Sequence, residues 1–160
     1  MASTANPVPD APEAAGGEAA GNEAATRTLL FRAAGRVYGA AIDEVREIVT
    51  WRPSTRLPGA PASVQGLINL RGLVVTVLDL GAWMEPGSPP SVEGSIILVQ
   101  HGARFAGVAV DEVLGVQPLA GESLPDTDAG RGGAVRSLGR LDDTVVIVLD
   151  IHTLVRQVLL

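Results

Sequence analysis

The side chains able to do chemistry are few, and their spacing narrows the choice quickly. There is no Cys and no Lys; the basic residues are twelve Arg, and two His stand at 101 and 152. Without Cys there is no thiolate nucleophile, disulfide or thiolate metal site. Two His with no third ligand at useful spacing read as surface residues rather than a metal centre. No Gly-x-Ser-x-Gly elbow is present, and no Gly-rich loop ends in Gly-Lys-Ser/Thr. Two carboxylates end apolar runs, Asp79 after Val77-Leu78 and Asp150 after Val148-Leu149. A pair of acids sharing one proton would need a small hydroxyl residue and a Gly beside each. Leu80 and Ile151-His152 stand there instead. What remains are charges that bind rather than react, above all Glu47 and Arg71.

The elements that must position them are short strands. Val64 to Leu80 reads VQGLINLRGLVVTVLDL, two apolar runs about a polar break at Asn69-Leu70-Arg71-Gly72, the pattern of a paired hairpin. Leu29-Leu30-Phe31 is expected to be a strand, with a turn around Gly35 and a returning strand over Val37 to Ile42. Asp43 to Val49 reads as a one-turn helix entering a strand. Trp51 to Ala62, with Pro53, Pro58, Gly59 and Pro61, is a loop, and Glu85 to Pro90 a linker between halves.

The chain writes this pattern twice. An offset of 68 sets Arg36–Val45 on Arg104–Val113 with six of ten positions identical, and an offset of 71 sets Val64–Leu80 on Val135–Ile151. A duplication of this kind fixes the architecture as two similar β units, and their apolar faces are most simply buried in a shared core. Positions alike in both copies, such as Gly39/Gly107 and Asp79/Asp150, read as scaffold. Positions that differ mark a site: Glu47 faces Gly115, and Arg71-Gly72 faces Asp142-Asp143. Glu47 and Arg71 are expected to pair, and if the pair is partly buried its loss should cost about 3–5 kcal/mol.

Met1 to Thr26 is rich in Ala, Gly, Pro and Glu and carries Asp10, Glu13, Glu18 and Glu23 with no base. It lacks the apolar core of a signal peptide and reads as a disordered tail, residues 1–26, ahead of a folded body over 27–160. Without those four acids the body holds 14 acids against 12 Arg. The bases are scattered and aromatics are scarce, so nucleic acid is not an expected partner. No apolar run approaches the length of a membrane span, so no membrane insertion and a cytoplasmic location are expected.

The body resembles the CheW-like family of chemotaxis coupling proteins. The resemblance rests on Tyr38-Gly39 with Ile42, Val45-Arg46-Glu47-Ile48, Thr55-Arg56-Leu57-Pro58, Ala60-Pro61, Val64-Gln65-Gly66, Asn69-Leu70-Arg71-Gly72 and Asp79-Leu80, in that order, with Gly107-Val108 and Val110-Asp111 in the second half. It covers about Leu29 to Leu159. Two departures are Thr76, where the family commonly has Pro, and Gly81, where a base often follows Asp-Leu.

The resemblance implies an all-β fold of two similar five-stranded SH3-like β-barrels around a shared core, with short helical turns. It implies an adaptor without catalysis or cofactor. Its partners would be the regulatory domain of a CheA-type histidine kinase and the helical hairpin tip of a methyl-accepting chemoreceptor. Carried over by position, Val45, Glu47, Asn69 and Arg71 fall on the receptor side, and Tyr38, Ala40 and Ile42 on the kinase side. An alternative is an accessory protein of the same family that binds kinase but no receptor. The duplication also bears a faint likeness to aspartic proteases at Val77 to Ala82, which the missing hydroxyl residues argue against.

Overall fold

The computed structural model describes residues 26–119, 121–123 and 133–159. The expected disordered tail lies outside them, except that Thr26 is not tail: it opens the first strand and pairs with Leu119. In chain order the strands are β1 (Thr26–Ala33), β2 (Arg36–Ala41), β3 (Glu47–Thr50), β4 (Val64–Leu70) and β5 (Leu73–Asp79). After them come β6 (Ser95–His101), β7 (Arg104–Val110), β8 (Glu112–Leu119), β9 (Gly121–Ser123), β10 (Val135–Leu141) and β11 (Thr144–Leu149). A 3-10 turn over Ile42–Glu44 precedes β3, as the spacing there suggested. Helix α1 (Leu80–Met84) follows β5, and α2 (Ile151–Leu159) follows β11.

Two sheets result, ordered β8-β1-β2-β11-β10-β9 and β3-β6-β7-β5-β4. The sequence repeat accounts for this order. Replacing β1, β2, β8, β11 and β10 by their repeat counterparts β6, β7, β3, β5 and β4 turns the first sheet into the second. Each half of the chain therefore lends strands to both sheets, and β2 meets β11 as β7 meets β5, in parallel.

The edges of the five-strand sheet, the first unit (the six-strand sheet being the second unit), are joined by the chain leaving β3. Thr55 exchanges backbone hydrogen bonds with Leu67 of β4 at 2.8 Å in both directions, so the sheet closes on itself. Gly66 makes room: a Cβ there would stand 2.2 Å from the Thr55 carbonyl oxygen, at a backbone φ of +144° that side chains rarely adopt. In the other sheet β9 does the same work. It continues from the end of β8 and sets Glu122 opposite Leu138, the residue that the 71-residue offset places on Leu67. The sixth strand is thus the closing arm of a five-stranded unit, not an extra layer.

Alternation along the strands sorts the apolar residues into three clusters. Leu30, Leu119 and Val146 fill the six-strand unit, and Ile68, Leu70, Val75, Val77, Ile96, Leu98 and Ala109 fill the other. Between them lies the largest cluster, which draws on Leu29, Phe31, Tyr38, Leu78, Val108 and Leu149. Gly39 and Gly107, identical in the repeat, sit inside the two units, where a Cβ would meet Thr28 at 2.7 Å and Ile96 at 2.6 Å.

Helix α2 was not foreseen, because the repeat alignment ends at Ile151. Its buried residues Ile151, Leu154, Val155 and Leu159 fall on one face at helical spacing and complete the central core.

Candidate functional site

Glu47 opens β3 at one edge of the five-strand sheet, and Arg71 lies in the hairpin turn after β4, the opposite edge. In a flat sheet four strand spacings, roughly 19 Å, would separate them. Closure brings them together: Arg71 Nη2 donates to Glu47 Oε1 at 2.6 Å. The turn Leu70–Leu73 has two central residues with positive φ, Arg71 at +53° and Gly72 at +89°, the geometry of a two-residue type I′ hairpin. Left-handed backbone is unfavourable for Arg. It is braced by Asn69, whose Oδ1 accepts from the Gly72 N–H at 3.0 Å. Asn69 itself is exposed, while Val45, two residues before Glu47, packs on the central core. Of the four residues expected on the receptor side, Glu47, Arg71 and Asn69 thus form one group, an ion pair and the brace of its turn, with Val45 two residues along the chain from Glu47.

The condition attached to that pair is not met. The Arg71 and Glu47 side chains are 64% and 38% exposed. An ion pair this open to water contributes roughly 0.2–1 kcal/mol to folding, not the larger figure for a buried pair. Its charges are available to a partner instead.

The expectation for Tyr38 and Ala40 is corrected. They are 1% and 0% exposed, point into the central core, and Tyr38 stacks on Phe31 with ring centroids 6.4 Å apart. Strand β2 runs between β1 and β11, so neither side chain presents a surface to a kinase. Ile42, at the strand's end, is half-buried against the same core. Burial also raises the Tyr38 phenol above its ordinary pKa, helped by the Glu85 charge.

The paired aspartates are structural. Asp79 is fully buried and caps α1, its Oδ1 accepting from Ala82 N at 3.0 Å. Its Oδ2 accepts from Gln65 Nε2 and from Ser91 N, both at 2.8 Å. Asp150 caps α2 through Thr153 N and lies 3.4 Å from Arg136. Burial would raise its carboxyl, but hydrogen bonds from Thr153 and the Arg136 charge outweigh that and hold it below the usual range. Each acid is thus held by its own set of donors, the reverse of a proton-sharing dyad. The histidine rings come within 6.3 Å, and no group of three or more His, Cys, Asp or Glu able to hold a metal exists among the described residues.

Two features escaped sequence reasoning. Gln65 links Asp79, the Ser91 carbonyl and the Trp51 indole N–H, which donates to Gln65 Oε1 at 3.1 Å. Arg136, which the 71-residue offset sets on Gln65, instead binds Glu44 Oε2 at 3.1 Å and so ties the start of the Val45–Glu47 segment to the second unit. The repeat itself was the signal, since Gln65–Asp79 and Arg136–Asp150 are matched pairs.

The fold and site define a class: a duplicated, interleaved β protein whose distinctive group is a solvent-facing ion pair. The model of the CheW-like domain matches residues 27–159, and the chain belongs to that family. It is 34% identical over 113 residues to a chemotaxis protein CheW of Rhizobium meliloti, covering 70% of this chain and 73% of the relative. With the chemotaxis protein CheW of Bacillus subtilis it shares 32% over 124 residues, 72% and 80% of the two chains. The solved scaffolding protein TtCheW of Thermoanaerobacter tengcongensis superposes with a TM-score of 0.72 at 30% identity, covering 81% of this chain and 92% of that one.

Proposed function

We propose that the protein is a non-catalytic scaffold that couples methyl-accepting chemoreceptors to a CheA-type histidine kinase in the cytoplasm. Family membership supports the scaffold role, as do relatives named for chemotaxis. The observation that carries the receptor assignment is the Glu47–Arg71 pair, held at the closure of the first unit yet open to water. A helical hairpin tip offers apolar residues and charges at fixed spacing, and a rigid exposed ion pair sets its register. In this reading Val45, Glu47, Asn69 and Arg71 meet the receptor. The kinase meets another face, to which Ile42 contributes and the buried Tyr38 and Ala40 do not. No helix among the described residues is long and apolar enough to cross a membrane.

The test is Arg71→Ala in a reconstituted receptor–kinase assay. Removing the guanidinium should abolish receptor-dependent kinase activation while lowering folding stability by no more than about 1 kcal/mol. Wild-type activation by that variant would remove Arg71 from the site.

A further inference from the structure

A concave surface lies apart from the ion pair, with neither Glu47 nor Arg71 in its lining. It is a cleft of about 730 Å³ between the segment that closes the first unit and the loop after α1, walled by Trp51, Pro53, Trp83, Pro86 and Val92. Arg56 is the one charged residue lining it among the described residues. The wall holds both tryptophans of the chain. The Trp51 indole N–H is engaged by Gln65, which fixes the ring, and Val92 is 58% exposed. Aromatic ridges, prolines and one cation suit a short extended segment with prolines on one edge and carboxylates on another.

The chain carries such a segment. Pro7-Val8-Pro9-Asp10-Ala11-Pro12-Glu13 favours polyproline II, which turns once every three residues. That period puts Pro9 and Pro12 on one edge and Asp10 and Glu13 on the next. The charge is complementary, because the first 26 residues hold four acids and no base. The length also suffices. From Glu13 to Thr26 an extended chain spans up to about 43 Å. The distance to cover is close to the length of β1, roughly 27 Å, because Ala34 at its far end abuts Gly81, next to Ala82 and Trp83 in the cleft wall.

We propose that residues 7–13 of this chain dock in the Trp51/Trp83 cleft, prolines on the indoles and Asp10 and Glu13 toward Arg56. The absence of Cys makes a direct test available. A spin label on Ala11→Cys in the full chain should selectively broaden the two indole N–H resonances. The broadening should disappear in Arg56→Glu. It should also disappear when Asp10→Lys and Glu13→Lys are combined, a change that alters no residue lining the cleft. Joining the Arg56→Glu and Asp10→Lys/Glu13→Lys changes should restore it. Sharp indole signals in the labelled chain, or broadening that ignores these charges, would overturn the proposal. So would broadening seen only between molecules, in a mixture of spin-labelled and isotope-labelled chains, since the occupant would then be a second copy.

Discussion

Gly66→Ala tests whether the first unit closes as described. The added methyl would sit 2.2 Å from the Thr55 carbonyl oxygen and 2.9 Å from Ser54 Oγ. The nearest atom is backbone, so a rotamer change cannot relieve the clash. Holding a non-Gly residue at φ of +144° costs of the order of 1–3 kcal/mol. Moving Thr55 away strains or breaks two backbone hydrogen bonds to Leu67, each contributing about 0.5–1.5 kcal/mol. The expected loss is about 3–5 kcal/mol, a large part of the roughly 5–15 kcal/mol that holds a domain together. Urea denaturation monitored by Trp fluorescence measures it, since Trp51 lies on the moving segment. Gly35→Ala is the control: it shares the positive φ, but nothing lies within 4 Å of its Cβ, so its loss should stay near 1 kcal/mol. Equal losses for the two variants would refute the tight crossing and, with it, the account of how Glu47 reaches Arg71.

Asp79→Ala strands three donors, the buried Ser91 N–H and the part-buried Ala82 N–H and Gln65 amide. It should destabilise by about 3–5 kcal/mol, whereas Asp150→Ala loses a more exposed cap and should cost about 1 kcal/mol by the same denaturation measurement. Gly39→Ala and Gly107→Ala overpack the two units and should each lose about 1–3 kcal/mol, with similar values because their surroundings correspond. Asp150 is held below its ordinary pKa, so its contribution is present above about pH 4 and fades as pH falls through the lower folded value. Between about pH 5 and pH 3 the melting temperature of the wild type should therefore fall more than that of Asp150→Asn; parallel curves would show that the carboxylate contributes nothing.

Much of this was legible in the sequence because a duplication shows itself twice. Gly39/Gly107 and Asp79/Asp150 were identifiable as scaffold from identity alone, and Glu47 and Arg71 stood out by lacking counterparts. Their pairing was legible, but their exposure was not, because exposure depends on sheet closure and Thr55 gives no sign of pairing with Leu67. Tyr38 and Ala40 were misplaced for a related reason. Alternation along β2 tells which residues share a face, but here both faces are covered, one by the unit's own interior and one by the central core. Helix α2 lies where the repeat runs out, although Leu154, Val155 and Leu159 carry helical spacing.

The coupling role is tested most directly by calorimetric titration of the full chain with the regulatory domain of its CheA-type kinase. The titration is then repeated with a receptor hairpin fragment, alone and in the presence of the kinase domain. Saturable binding to each and a ternary complex are expected, with the receptor arm lost in Arg71→Ala and the kinase arm kept. Binding to the kinase domain with none to the receptor fragment, in either setting, would contradict it.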